Sequence, residues 1–146
     1  MKTILTPVDF STATAGVLDA AVQLAAPLEA EIVLLHVVQP PMVTSDYGLA
    51  LENVQEIIAV SEKAADRQLA HLTSQLAERG AKVRSLHVNG TAVPSILEQA
   101  KALNADYIVL GSHGHTAFYD LLVGSTTHGI LKKAACPVLV VPAPQK

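Results

Sequence analysis

Two kinds of segment alternate along the chain. Short apolar runs rich in β-branched residues lie at 3–8 (TILTPV), 31–38 (EIVLLHVV), 82–88 (KVRSLHV), 106–110 (DYIVL) and 137–141 (PVLVV). Those near 33, 108 and 139 are almost continuously apolar, the pattern of strands covered on both faces. The run at 82–88 instead alternates, Val83, Ser85 and His87 against Arg84, Leu86 and Val88, and this period of two places it nearer a sheet edge.

Between these runs the apolar residues recur every three or four positions, which predicts helices. Residues 12–27 carry Val17, Ala21 and Leu24, continued by Leu28. Residues 50–79 carry Leu51, Val54, Ile58, Ser61, Ala65, Leu69, Leu72 and Leu76, with Gly80 where a helix C-cap favours glycine. Residues 92–103 offer Val93, Ile96, Ala100 and Leu103. Residues 125–134 offer Ile130, Leu131 and Ala134, with Lys132 and Lys133 in the last turn, where they suit the helix dipole. The alternation βαβαβαβαβ predicts an α/β fold with a parallel sheet and right-handed crossovers. Residues 39–49 read as one long loop and 142–146 as a short tail.

Composition narrows this picture. The 146 residues suit one domain, 1–146, and a chain that is half hydrophobic but only 3% aromatic builds its core from aliphatic side chains. A net charge of −3 offers no basic face for nucleic acid. Asp9 interrupts the opening "MKTILTPVDFS", so it is no secretory signal, and no apolar run approaches the roughly 20 residues that span a bilayer. The single Cys136 cannot form an intramolecular disulfide. The expectation is a soluble, cytoplasmic protein with no membrane partner.

The candidate chemistry sits in "GSHGHTAFYDLLVGSTTHG", residues 111–129, between the fourth strand and the last helix. Gly111 and Gly114 permit positive φ and close approach of a ligand to the backbone. Gly124, Ser125, Thr126 and Thr127 stand where a helix N-terminus leaves N–H groups unpaired, a natural anion site. Turn chemistry and helix capping alone are the other reading of these residues. A second loop shifts the balance: "TPVDFS" leaves Asp9 and Ser11 just past the first strand, where Asp9 either faces the same crevice or caps the first helix. No Lys lies in 111–131, which excludes a Walker P-loop, and Pro7-Val8-Asp9 stands where a dinucleotide fingerprint needs glycines.

These residues resemble the universal stress protein family. Its signature G-x2-G-x9-G-[ST] is matched by Gly111, Gly114, Gly124 and Ser125, and "TPVDFS", "LLHVV" (34–38) and "CPVLVVP" (136–142) are similar to family segments. The resemblance implies a Rossmann-like open parallel sheet of five strands in order 3-2-1-4-5, with helices on both faces, and ATP or a related adenine nucleotide (AMP or ADP) in the crevice. It implies that Pro7, Val8 and Asp9 line the adenosine, with Asp9 reaching the ribose and Val37 pairing with the adenine through its backbone. It further implies that Leu110 and Gly111 border the ribose. Ser112, His113 and His115 belong to the signature loop, and Gly114, Gly124, Ser125, Thr126 and Thr127 hold the phosphates. A divalent ion, Mg or Mn, would ride on the phosphates.

The histidines do not make a metal site: His113, His115 and His128 have weak spacing for one. His36, inside a strand, reads as a hydrogen-bonded structural residue. The loops supply donors but no Lys or Arg, so a nucleotide-binding sensor or regulator is favoured over a slow ATP hydrolase or phosphotransfer enzyme. A dimeric interaction module without nucleotide is the third reading. The run 137–141 has no helix after it and forms a sheet edge, which predicts a homodimer through this strand.

Overall fold

The computed structural model describes residues 1–40, 51–113 and 123–144, with side chains from residue 54 onward in the second segment. The predicted loop 39–49, apart from 39 and 40, lies outside the described residues, as do Gly114, His115 and the last two residues of the tail. The elements are β1 (Thr3–Pro7), α1 (Thr14–Leu28), β2 (Glu31–Val38), α2 (Leu51–Glu78), β3 (Lys82–Asn89), α3 (Ala92–Ala102), β4 (Tyr107–Gly111), α4 (Ser125–Lys133) and β5 (Val138–Val141).

All neighbouring strands pair in parallel, in the order β3-β2-β1-β4-β5. The continuous apolar runs are explained by two cores, because alternate side chains of each central strand point to opposite faces. Ile4, Ile32, Leu34 and Val109 pack with α1 and α2 on one face. Leu5, Val33, Leu35, Ile108 and Leu110 pack with α3 and α4 on the other. Ile4, Leu5, Ile32, Val33, Leu34, Leu35, Ile108 and Val109 are completely buried.

Helix packing departs from the predicted stripes in three places. In α1 the buried residues are Val17, Leu18, Ala21 and Ala25, while Leu24 and Leu28 are only half-buried at the edge of that stripe. Ser61 is exposed, and in α4 Thr127 and Ile130 face inward while Leu131 is 48% exposed.

Three helices hand over to the next strand by the same device. At the C-cap of α1 and just beyond the ends of α2 and α3 a residue lies in the left-handed region: Glu29 (φ 51°), Gly80 (φ 86°) and Asn104 (φ 51°). An alanine follows each one, and its N–H reaches back to a carbonyl five residues earlier: Ala30 to Ala25, Ala81 to Leu76, and Ala105 to Ala100. Helix α2 is also clamped to the edge strand β3. Both ring nitrogens of His87 meet carboxylates, Nδ1 at 2.6 Å from Asp66 Oδ1 and Nε2 at 3.0 Å from Glu62 Oε2.

The sheet opens where the site will stand. Pairing of β1 with β2 runs to Pro7↔Leu35, but pairing of β1 with β4 stops at Leu5↔Ile108. Beyond that point the strands diverge, leaving a cleft at their carboxyl ends where the winding direction reverses.

Candidate functional site

A crevice of about 460 Å³ occupies this position, reached from the ends of β1, β2 and β4 and from the start of α4. On the β1 side Pro7, Val8 and Asp9 line it. Val8 continues the ladder by donating to the Leu35 carbonyl at 2.8 Å, and then the chain turns sharply. Asp9 Oδ1 accepts the Ser11 N–H at 3.0 Å, and Ser11 Oγ accepts the Ala13 N–H at 3.3 Å. The N-cap of α1 is Ala13, with no side-chain cap. Asp9 therefore shapes the turn before the helix and does not cap it, which corrects that alternative.

On β2, Val37 lines the crevice. Successive residues of a strand point their backbone groups to opposite sides. Leu35 turns its carbonyl toward β1, accepting Val8, and Val38 turns its own toward β3, accepting the Gly90 N–H at 3.0 Å. The N–H and C=O of Val37 thus point to the β1 side at the level where β1 has already turned away. They offer one donor and one acceptor to whatever fills the gap.

The third wall joins β4 to α4, and Leu110, Gly111 and His113 line it. Two bonds staple the strand end to the helix start. Gly124 N–H donates to the Ser112 carbonyl at 2.7 Å, and Thr127 Oγ1 donates to the Gly111 carbonyl at 2.6 Å. Ser112 is buried, does not line the crevice, and donates its own N–H to the Val141 carbonyl at 2.8 Å. Its hydroxyl stands 3.1 Å from Nδ1 of His113.

Gly124, Ser125, Thr126 and Thr127 bring the N-terminus of α4 to the crevice. Gly124 is the N-cap, in extended conformation (φ −71°, ψ 166°), and α4 has no side-chain cap. The first-turn N–H groups of Ser125, Thr126 and Thr127 have no acceptor among the described residues. With the dipole of a nine-residue helix behind them they form an anion-attracting edge. The only charged side chain lining the crevice among the described residues is that of Asp9.

The glycines act differently from the expectation. Among the described glycines only Gly80 and Gly90 have positive φ, so Gly111 owes nothing to a left-handed backbone. A Cβ there would lie 3.4 Å from the His113 carbonyl and from Val17 Cγ2, at the edge of ordinary contact, so glycine leaves the crevice wall lower without being demanded by a clash. Gly114 and His115 lie outside the described residues. Among the described residues no group of three or more His, Cys, Asp or Glu side chains is arranged to hold a metal ion. Sequence reasoning missed the α1 contribution of Ala13, Thr14 and Val17 and the side chains of His36, Gln39 and Ile96. Ala13, Thr14, Val17 and Ile96 carry no motif and reach the crevice only through the packing of α1 and α3, whereas His36, within "LLHVV", and Gln39 come to it on β2 and at its end.

The model of the Universal stress protein family matches residues 1–142. Universal stress protein YxiE of Bacillus subtilis is 32% identical over 143 residues, covering 94% of this chain and 97% of the relative. The solved structure of MJ0577, from Methanocaldococcus jannaschii, is similar with a TM-score of 0.86 at 29% identity, covering 99% of this chain and 98% of that one. A universal stress protein from Archaeoglobus fulgidus in complex with dAMP shares the fold at 20% identity, with a TM-score of 0.68 over 97% and 98% of the two chains. With the family model spanning nearly its whole length, the chain belongs to the universal stress protein family.

Proposed function

We propose that the crevice binds an adenine nucleotide, ATP or its di- or monophosphate, and that the protein acts as a stress-response sensor or regulator through this binding. The observation that carries the reading is the uncapped start of α4. Three first-turn N–H groups and two adjacent hydroxyls face a cleft at the point where a parallel sheet reverses its winding. The N–H and C=O of Val37, without a partner among the described residues, stand on the opposite side, complementary to a base edge with one acceptor and one donor. Asp9 lines the crevice from the β1 side, and on this reading its carboxylate meets the ribose. The dAMP complex of the A. fulgidus relative supports the same class of ligand.

A hydrolase is disfavoured by the lining, since phosphoryl transfer needs a cation on the developing charge and metal ligands. Neither Lys nor Arg lines the crevice among the described residues, and Asp9 is its one carboxylate. A Mg or Mn ion would be carried by the phosphates and not by a dedicated protein site. Calorimetric titration with ATP, ADP and AMP tests the reading, with a turnover assay on the same protein. Saturable binding with little or no phosphate release supports a binder. Release at ordinary enzymatic rates, of order 1 per second or faster, would make it an enzyme.

A second proposal rests on β5. This edge strand leaves Leu139 41% exposed, and a free apolar edge is a template for pairing with another chain. We infer a homodimer with residues 137–141 antiparallel to the same strand of a second copy.

A further inference from the structure

Three described non-glycine residues have left-handed backbone: Glu29, Asn104 and Phe10. The first two close helices. Phe10, at φ 61°, does not; it follows Asp9 in the turn that enters the crevice. An aromatic residue holds this conformation only where its surroundings impose it.

Phe10 packs against the core that holds Val8 and Val17, and one side chain holds its ring directly. The ring of Phe10 stacks on the imidazole of His36, with centroids 4.4 Å apart and planes inclined by 31°. Nδ1 of the same imidazole lies 2.8 Å from the Val8 carbonyl, and because a carbonyl only accepts, Nδ1 carries the proton and donates it. His36 therefore holds the residues on both sides of Asp9: the carbonyl before it and the ring after it. Inside that clamp Asp9 Oδ1 accepts the Ser11 N–H, which orients the carboxylate along the crevice wall. His36 stands on β2 one residue past its last pair with β1, Pro7↔Leu35, and is still paired with His87 of β3.

We propose that His36 and Phe10 are positioning residues that preset the Asp9 carboxylate for the hydroxyl groups of the bound ligand's sugar. The inference rests on the nucleotide reading above. The strain at Phe10 is retained because the stacked conformation turns Asp9 toward the cleft. A relaxed turn would release both the ring and the carboxylate.

The test combines two readouts on the full chain. Amide hydrogen exchange at Ser11, without nucleotide, reports whether the Asp9 turn is held. Affinity for AMP, measured in a double-mutant cycle between Phe10→Leu and Asp9→Ala, reports whether the ring acts through the carboxylate. Phe10→Leu speeds Ser11 exchange and weakens AMP about tenfold, yet weakens it no further once Asp9 is Ala. Phe10→Tyr, which keeps the stack, retains the wild-type values, and His36→Phe, which keeps a ring but loses the Nδ1 donor, speeds Ser11 exchange as well. Unchanged Ser11 exchange in Phe10→Leu, or losses of AMP affinity that simply add, would overturn the inference. A wild-type protein that fails to bind AMP would sink the nucleotide reading instead, and Ser11 exchange would still decide whether the clamp exists.

Discussion

Thr127 was read as a phosphate ligand from its place in the glycine-serine-threonine run, and its hydroxyl proton turns out to be committed to the Gly111 carbonyl. Its backbone N–H remains available at the start of α4, so the residue splits its duties between stapling and donating. Thr127→Val keeps the shape and removes the donor to the part-buried Gly111 carbonyl, which costs about 1 kcal/mol. Chemical denaturation is expected to show that loss together with weaker AMP binding, whereas Thr127→Ser keeps both near wild type. At this scale the sequence was readable where chemistry demands a residue type at a fixed spacing. Of the fourteen candidate residues, eleven line the crevice, Ser112 lies behind it, and Gly114 and His115 fall outside the described residues. His36 was read correctly as a hydrogen-bonded structural residue, but its link to the Asp9 turn was invisible, because it depends on a ring from the turn after β1 stacking on a side chain of β2.

Strand runs were legible almost to the residue, since strands buried on both faces leave an unbroken apolar mark; β2, for example, spans Glu31–Val38 as expected. The helix ends were legible only where glycine announces them. Gly80 was anticipated, but Glu29 and Asn104 adopt the same left-handed cap because the next strand has to start there. Gly80→Ala tests the cap cleanly. A Cβ at this position meets nothing within 4 Å, so the cost is purely conformational, about 1 kcal/mol, and should appear in thermal melts without loss of ligand binding. The α2–β3 clamp makes a separate, pH-dependent prediction. Burial alone would lower the His87 pKa, but hydrogen bonds and charge from Asp66 and Glu62 outweigh it and raise the value above 6.5. Both carboxylates accept, so both ring nitrogens carry protons and the bound form is the imidazolium. A raised folded-state pKa gives stability that is complete below the unfolded value of about 6.5 and is lost as pH rises through the folded value. With Asp66 more than half exposed, the clamp contributes only about 0.5–1 kcal/mol. Wild type is therefore expected to exceed His87→Gln in stability at pH 6 and to approach it at pH 9. A gap that widens with pH would contradict the assignment.

At the scale of the whole molecule, the order 3-2-1-4-5 sets both the crevice and the exposed edge. It places β1 and β4 side by side in the middle, where their divergence opens the cleft, and leaves β5 as a flank with no strand beyond it among the described residues. The edge predicts assembly: light scattering coupled to gel filtration should give a dimer at micromolar concentration. Pro137 and Val141 turn their carbonyls toward β4, so the alternate residue Val140 turns its N–H to the free edge. Val140→Pro, which removes that edge N–H, should give a folded monomer. A monomeric wild type, or a folded and dimeric variant, would rule out pairing through this strand. The cleft carries the central claim, and an amide-resolved titration with AMP tests it most directly. The account predicts saturable shifts concentrated at Val37, Gly111, Ser125 and Thr126, the backbone groups that meet across the gap between β1 and β4. Absence of saturation at millimolar AMP, or shifts centred away from the ends of β1, β2 and β4, would contradict it.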